Sequence, residues 1–132
     1  MATTQANIGL ERIGQIAVNA HDLDRAVRFY KDTLGMRFLF QVPGMGFFDL
    51  AGIRLMVGVA SAPEFDHPAS VIYYKVDDIQ ATHRNLTGRG VTFTQQPHFV
   101  AKLERTDLWL AFFNDSEGNV LALMSEVPSR SR

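Results

Sequence analysis

Four histidines, no cysteine and a few polar side chains set among apolar runs are the chemistry that this 132-residue sequence offers. Without cysteine there is no disulfide, thiolate nucleophile, Fe-S cluster or cysteine-ligated zinc, so a metal would have to be held by His, Asp or Glu. His21 lies at a strand-to-helix turn, His67 beside Pro68, His83 on a helix and His98 just after Pro97, and no two have the close spacing of a ligand pair. Of these only His98 has a functional case, because it follows a turn into a sheet and an imidazole titrates near neutrality; a surface role is its other reading. Tyr73 offers a ring for stacking and a phenol that can donate or accept a proton, or it fills the core.

Composition narrows what such groups serve. Thirteen Lys and Arg against fourteen Asp and Glu give a formal charge of -1 with no basic run, so nothing supports phosphate-backbone binding and no nucleic-acid partner is expected. With 46% hydrophobic and 20% charged residues, residues 1–132 read as one globular domain whose packing needs no staple. Residues 1–11 lack the pattern of a signal peptide, and no apolar run approaches the roughly 18 residues of a membrane span. The sequence therefore reads as a soluble, cytoplasmic protein without a membrane partner.

The elements that must hold these groups come twice. Residues 22–34 carry Leu23, Ala26, Val27, Tyr30 and Leu34 on one helical face, with Asp22 or Asp24 as the cap and Gly35 as the stop. Residues 13–18 precede this helix as a strand, and 36–42, 46–50 and 53–59 follow as three more, parted by Pro43-Gly44 and Ala51-Gly52. The order recurs as a strand at 71–76, a helix at 78–87 stopped by Gly90, and strands near 91–94, 108–113 and 119–124. An offset of about 55 to 58 residues marks a duplicated βαβββ unit, each copy too small to bury its sheet alone. Module one spans about 11–59, an Ala-, Pro- and Ser-rich linker 60–70, and module two about 71–127.

The opening Ile13-Gly14-Gln15-Ile16-Ala17-Val18, the helix text Asp22-Leu23-Asp24-Arg25-Ala26-Val27-Arg28-Phe29-Tyr30 with Leu34-Gly35-Met36, and the closing Phe113-Asn114-Asp115-Ser116-Glu117-Gly118-Asn119 resemble the vicinal oxygen chelate superfamily. That group holds glyoxalase I, extradiol dioxygenases, methylmalonyl-CoA epimerase, and bleomycin and fosfomycin resistance proteins. The resemblance covers about residues 10–127. It implies an α+β fold in which two tandem βαβββ modules form an open, cup-like mixed sheet with helices outside and a ligand cavity inside.

Metal-dependent members take one ligand from the first and fourth strand of each module. The resemblance puts these positions at Gln15, at Arg54 (or Met56 if the register slips by two), at Val71 and at Ala122. Only Gln15 keeps a coordinating oxygen, and one neutral amide does not hold a divalent cation against its desolvation. No metal and no cofactor are therefore expected.

If Gln15 faces the cup, as the resemblance implies, strand alternation sends Ala17 and Asn19 the same way, with Arg54, Met56, Val71, Tyr73, Lys75, Val120, Ala122 and Met124. Leu55, Val57, Ile72, Tyr74, Leu121 and Leu123 then pack on the helices. Arg54 would read a carboxylate, phosphate or enolate-like oxygen, or pair internally with Asp49. Lys75 is a second cation or a solvated one. Phe47, Phe48, Phe112 and Phe113 belong to the core or line an aromatic pocket. Residues 108–113, with Trp109, are apolar on both faces, which suggests a buried strand or a subunit contact.

Two functions are open on this reading. One is a metal-free glyoxalase- or bleomycin-resistance-like protein that binds a small organic ligand through Gln15, Arg54, Met56, Val71, Tyr73, Lys75, Ala122 and Met124. The other is a metal-independent lyase or isomerase in which Tyr73 and His98 move protons and Arg54 and Gln15 steady oxyanion charge. Binding is favoured because no acid-base pair is demonstrable. A metal-dependent glyoxalase or dioxygenase has the ligand positions against it. A homodimer is expected, since open strand edges and the doubly apolar strand need cover.

Overall fold

The computed structural model describes residues 8–129. Its elements are β1 (Gln15–Asn19), α1 (Leu23–Arg28) prolonged by a wider π-type turn over Phe29–Thr33, β2 (Arg37–Val42), β3 (Met45–Leu50), β4 (Ile53–Gly58), a 3-10 turn over Pro63–Phe65, β5 (Ile72–Lys75), α2 (Ile79–Gly88), β6 (Phe93–Lys102), β7 (Thr106–Asn114) and β8 (Val120–Pro128). The duplicated βαβββ order is thus present. The open, mixed sheet is divided into two four-stranded sheets with matching orders, β1-β4-β3-β2 and β5-β8-β7-β6.

Local chemistry explains why each copy starts and stops its helix where it does. Asp22 caps α1 by accepting from the Arg25 amide at 3.1 Å, and Asp78 caps α2 from the Ala81 amide at 3.0 Å, each satisfying an orphan donor of the first turn. Gly35 and Gly90 then take φ of 71° and 96°, a left-handed turn that a Cβ would disfavour. The expected single helix over 22–34 is instead an α-helix that widens after Arg28, with the Leu34 amide reaching the Phe29 carbonyl at 2.9 Å.

In both modules one strand face packs on the helices. Val18, Leu55, Val57, Leu121 and Leu123 are buried in a single core that also holds Tyr30, Phe48, Leu86 and Phe113, so the two copies share one interior. Strand β6 runs well past the expected end at Thr94. Its register shifts near Gln95, His98 and Ala101 break the period of two, and Pro97 fits there because β6 is an edge strand. Gly46 of β3 faces α1 so closely that a Cβ would meet the Val27 Cγ2 at 2.8 Å. Because a valine cannot swing aside, Gly46→Ala is expected to cost about 1 to 3 kcal/mol by overpacking, measured by denaturant unfolding.

Candidate functional site

The face of module one away from the helices gathers three of the expected site residues. Gln15 stands directly opposite Arg54 in the β1–β4 register, and Met56 lies one pleat further on, opposite Ala17. Arg54 is therefore the residue that shares a row with Gln15. Its Nε donates to Gln15 Oε1 at 2.7 Å, and its guanidinium lies 5.2 Å from the centroid of the buried Phe47 ring, a cation-π arrangement. The Gln15 Nε2 in turn reaches the Met56 sulfur at 3.9 Å. The internal pair with Asp49 does not form: Asp49 lies opposite Arg54 in register but accepts from the Gly52 amide and sits 3.8 Å from Arg37. The two terminal nitrogens of Arg54 have no protein partner among the described residues.

Beyond Met56 the same face opens into a cavity of about 710 Å³. Ala17 and Asn19 of β1, Met45 of β3, Met56 of β4, and Phe65 and His67 of the linker are among its lining residues. An apolar chamber with few polar tips suits a small organic molecule. The thioethers of Met45 and Met56 adapt their shape and make favourable contacts to aromatic rings. Phe65, His67 and Met45 are among the lining residues that sequence reasoning missed. The signal was available in Phe65-Asp66-His67, an aromatic and two titratable groups inside a linker otherwise rich in Ala, Pro and Ser.

Module two collects the rest separately. Tyr73 is opposite Ala122, and Ala122 is opposite Phe112; the two rings meet edge to face with centroids 6.1 Å apart, and Ala122 between them is fully buried. Ala122 is therefore a floor rather than a contact surface. Lys75 and Met124 share the next row; the Lys75 ammonium is 3.9 Å from Glu126 with its side chain 66% exposed, so solvent holds it as much as the protein does. Val71, half exposed, precedes β5. His98 lies in mid-strand on β6 and not after a turn. It stands opposite Leu110, in the row of Met124, and its Nδ1 donates to the Gln96 carbonyl at 2.7 Å. The hydrogen bonds and ring contacts of these side chains stay within module two, and those of Gln15, Arg54 and Met56 within module one.

These residues do not fit the family's divalent cation. A guanidinium already holds the one amide oxygen, and Val71 and Ala122 are staggered by a pleat, since Tyr73 is the partner of Ala122. Among the described residues no three His, Asp or Glu side chains converge as metal ligands.

The junction between the modules, built around the closing motif from Asp115 to Asn119, carries a dense set of charged hydrogen bonds. Asp115 accepts from the Tyr30 hydroxyl at 2.6 Å, the Asn119 side chain at 2.8 Å and the amides of Glu117 and Asn119, each at 2.8 Å. Burial, reinforced by Asp115, pushes the Tyr30 phenol far above its ordinary range. Burial first, then the Asp115 carboxylate, pushes the neighbouring Tyr74 phenol up to about 12, and its hydroxyl has no hydrogen-bond partner among the described residues. Glu117, its side chain only 1% exposed, takes two hydrogen bonds from Arg25 at 2.7 and 3.1 Å and two from the amides of His21 and Asp22. The Arg25 bond, assisted by backbone and Ser116 donors, holds its carboxyl down at about 2 in spite of burial. This interlock ties the start of α1 to the β7–β8 turn and so fixes one module against the other.

The family of the chain is known from its sequence and fold. Residues 12–123 match the Glyoxalase/Bleomycin resistance protein/Dioxygenase superfamily model, and the chain belongs to that family. Among relatives, a glyoxylase-like domain-containing protein from Didymella fabae is 29% identical over 122 residues, covering 85% of this chain and 91% of the relative. A superfamily member from Sphaerobacter thermophilus DSM 20745 aligns with a TM-score of 0.72 and 26% identity over 89% of this chain and 98% of its own. TnmS3, an antibiotic-binding protein from Streptomyces sp. CB03234, aligns at 0.73 with 24% identity over 92% and 99%. No described helix is long and apolar enough to cross a membrane.

Proposed function

We propose that the protein binds, without a metal, a small organic compound carrying an anionic or strongly polar oxygen next to an apolar or aromatic body. The observation that carries this is the posture of Arg54: braced by Gln15 Oε1 and the Phe47 ring, it presents two unpaired nitrogens at the head of a stripe that runs through Met56 into the cavity. Two residues along a strand span about 7 Å, so an oxyanion on Arg54 and a ring beside Met45 and Met56 belong to one drug-sized molecule. The likeness to TnmS3, whose name records antibiotic binding, supports sequestration as the purpose. Phe40 on β2 and Phe99 on β6 are half exposed on edge strands, cover that a homodimer would supply.

A metal-independent lyase or isomerase is the second reading, and His98 favours it. With Nδ1 donating to a carbonyl, Nε2 is left as the basic nitrogen of the neutral ring, on the module-two face that also carries Tyr73.

The test uses 2-naphthoate, which joins a carboxylate to an aromatic body, and its neutral amide. Arg54→Met is expected to weaken 2-naphthoate about 5- to 30-fold, or about 1 to 2 kcal/mol for a charged hydrogen bond partly screened by solvent. Binding of 2-naphthamide should change less than about twofold, because it lacks the charge that the guanidinium recognises. Calorimetric titration showing equal losses for both compounds, or none, defeats the proposal.

A further inference from the structure

The linker between the modules is more than a tether. It contributes Phe65 and His67 to the cavity wall, although Phe65 has 58% of its surface exposed and is absent from the shared core, so packing alone does not hold it there. The residue between them supplies the hold. Asp66 Oδ1 accepts from Asn19 Nδ2 at 3.0 Å and meets His21 Nε2 at 2.7 Å. Both partners belong to module one: Asn19 ends β1 and itself lines the cavity, and His21 begins the turn into α1. These two hydrogen bonds hold the Asp66 carboxyl below the usual carboxylate range.

We propose that Asp66 is a positioning residue for the cavity: by bridging Asn19 and His21 it pins the linker so that Phe65 and His67 form a wall against a bound ring. The ligand half of this inference rests on the binding function proposed above; the pinning does not. The second linker anchor, the Ala69 amide on Asn119 Oδ1 at 3.2 Å, lies three residues downstream and fixes the linker's other end. Releasing Asp66 therefore frees the segment that carries the wall without detaching the linker from module two. His67 is steadied separately, its Nδ1 donating to the Pro68 carbonyl at 3.0 Å. That bond leaves Nε2 as an acceptor for a hydroxyl or N–H on the ligand.

The experiment combines amide hydrogen exchange with 2-naphthoate titration on the full chain, its Asp66→Ala variant and its Asp66→Asn variant. In the ligand-free alanine variant, exchange over residues 61–68 is expected to accelerate about tenfold while the strands stay protected. Its 2-naphthoate dissociation constant should rise by a similar factor. The asparagine variant keeps an oxygen that accepts from both partners and should restore most of the protection and affinity; a generic loss of stability would not be rescued in this way. Unchanged linker exchange in Asp66→Ala overturns the pinning. Faster linker exchange with an unaltered dissociation constant overturns the role in binding. Failure of the unmodified protein to bind 2-naphthoate, with linker protection still lost in the variant, upholds the pinning and overturns the binding function instead.

Discussion

Replacing Asp115 by alanine is expected to destabilise the protein by about 3 to 5 kcal/mol, because it strands a buried hydroxyl and a buried amide whose individual desolvation costs are about 1 to 3 kcal/mol each. Four donors converge on this carboxylate: the Tyr30 hydroxyl, the Asn119 side chain and two backbone amides of the β7–β8 turn. Tyr30 is fully buried in the shared core, so its orphaned hydroxyl would find no water without opening the junction. A neighbouring residue supplies the control. The Tyr74 hydroxyl is buried and already without a partner among the described residues, so Tyr74→Phe should leave stability unchanged or raise it by up to about 1 kcal/mol. Urea unfolding monitored by Trp109 fluorescence measures both variants. A loss below about 1 kcal/mol for Asp115→Ala, or a comparable loss for Tyr74→Phe, would show that the network matters less than its geometry indicates.

Acid should weaken the protein through one carboxylate above others. The Arg25 hydrogen bond lowers the Glu117 carboxyl from 4.5 to about 2 in the folded chain, so the unfolded chain takes up this proton first as pH falls. The stabilisation is complete above about pH 5 and is lost as pH drops through 4.5 toward 2. Its size follows from that gap: about 3 kcal/mol. Glu117→Gln removes the titrating group, so the stability difference between the unmodified protein and the variant should shrink by about that amount between pH 5 and pH 2. Parallel stability curves across that window would locate the acid sensitivity elsewhere. Glu117 draws this weight from its setting: besides the adjacent Ser116 hydroxyl, four donors come from residues 21–25, more than 90 positions away in sequence.

The elements and their doubling are legible along the chain before any contact is known. Helical spacing from Leu23 to Tyr30, Asp22 as a cap, Gly35 and Gly90 as stops, and alternation through β4 and β8 are local properties of backbone sterics and side-chain period, and they need no partner to be read. For the same reason the family resemblance could single out Gln15, Arg54 and the loss of three of the four ligands. Alternation failed where register broke, as in β6, whose shifts around Pro97 carried His98 into mid-strand. That Arg54 turns to Gln15 and Phe47 and not to Asp49 follows from the folded arrangement, since all three are within reach of a long side chain and the choice depends on how rows of neighbouring strands face one another. The folded arrangement also decides that the linker walls a cavity and that Asp115 and Glu117 lock the modules. Those roles arise from contacts between positions about 45 to 95 residues apart, where spacing along the chain carries no signal and only the folded path brings donor to acceptor.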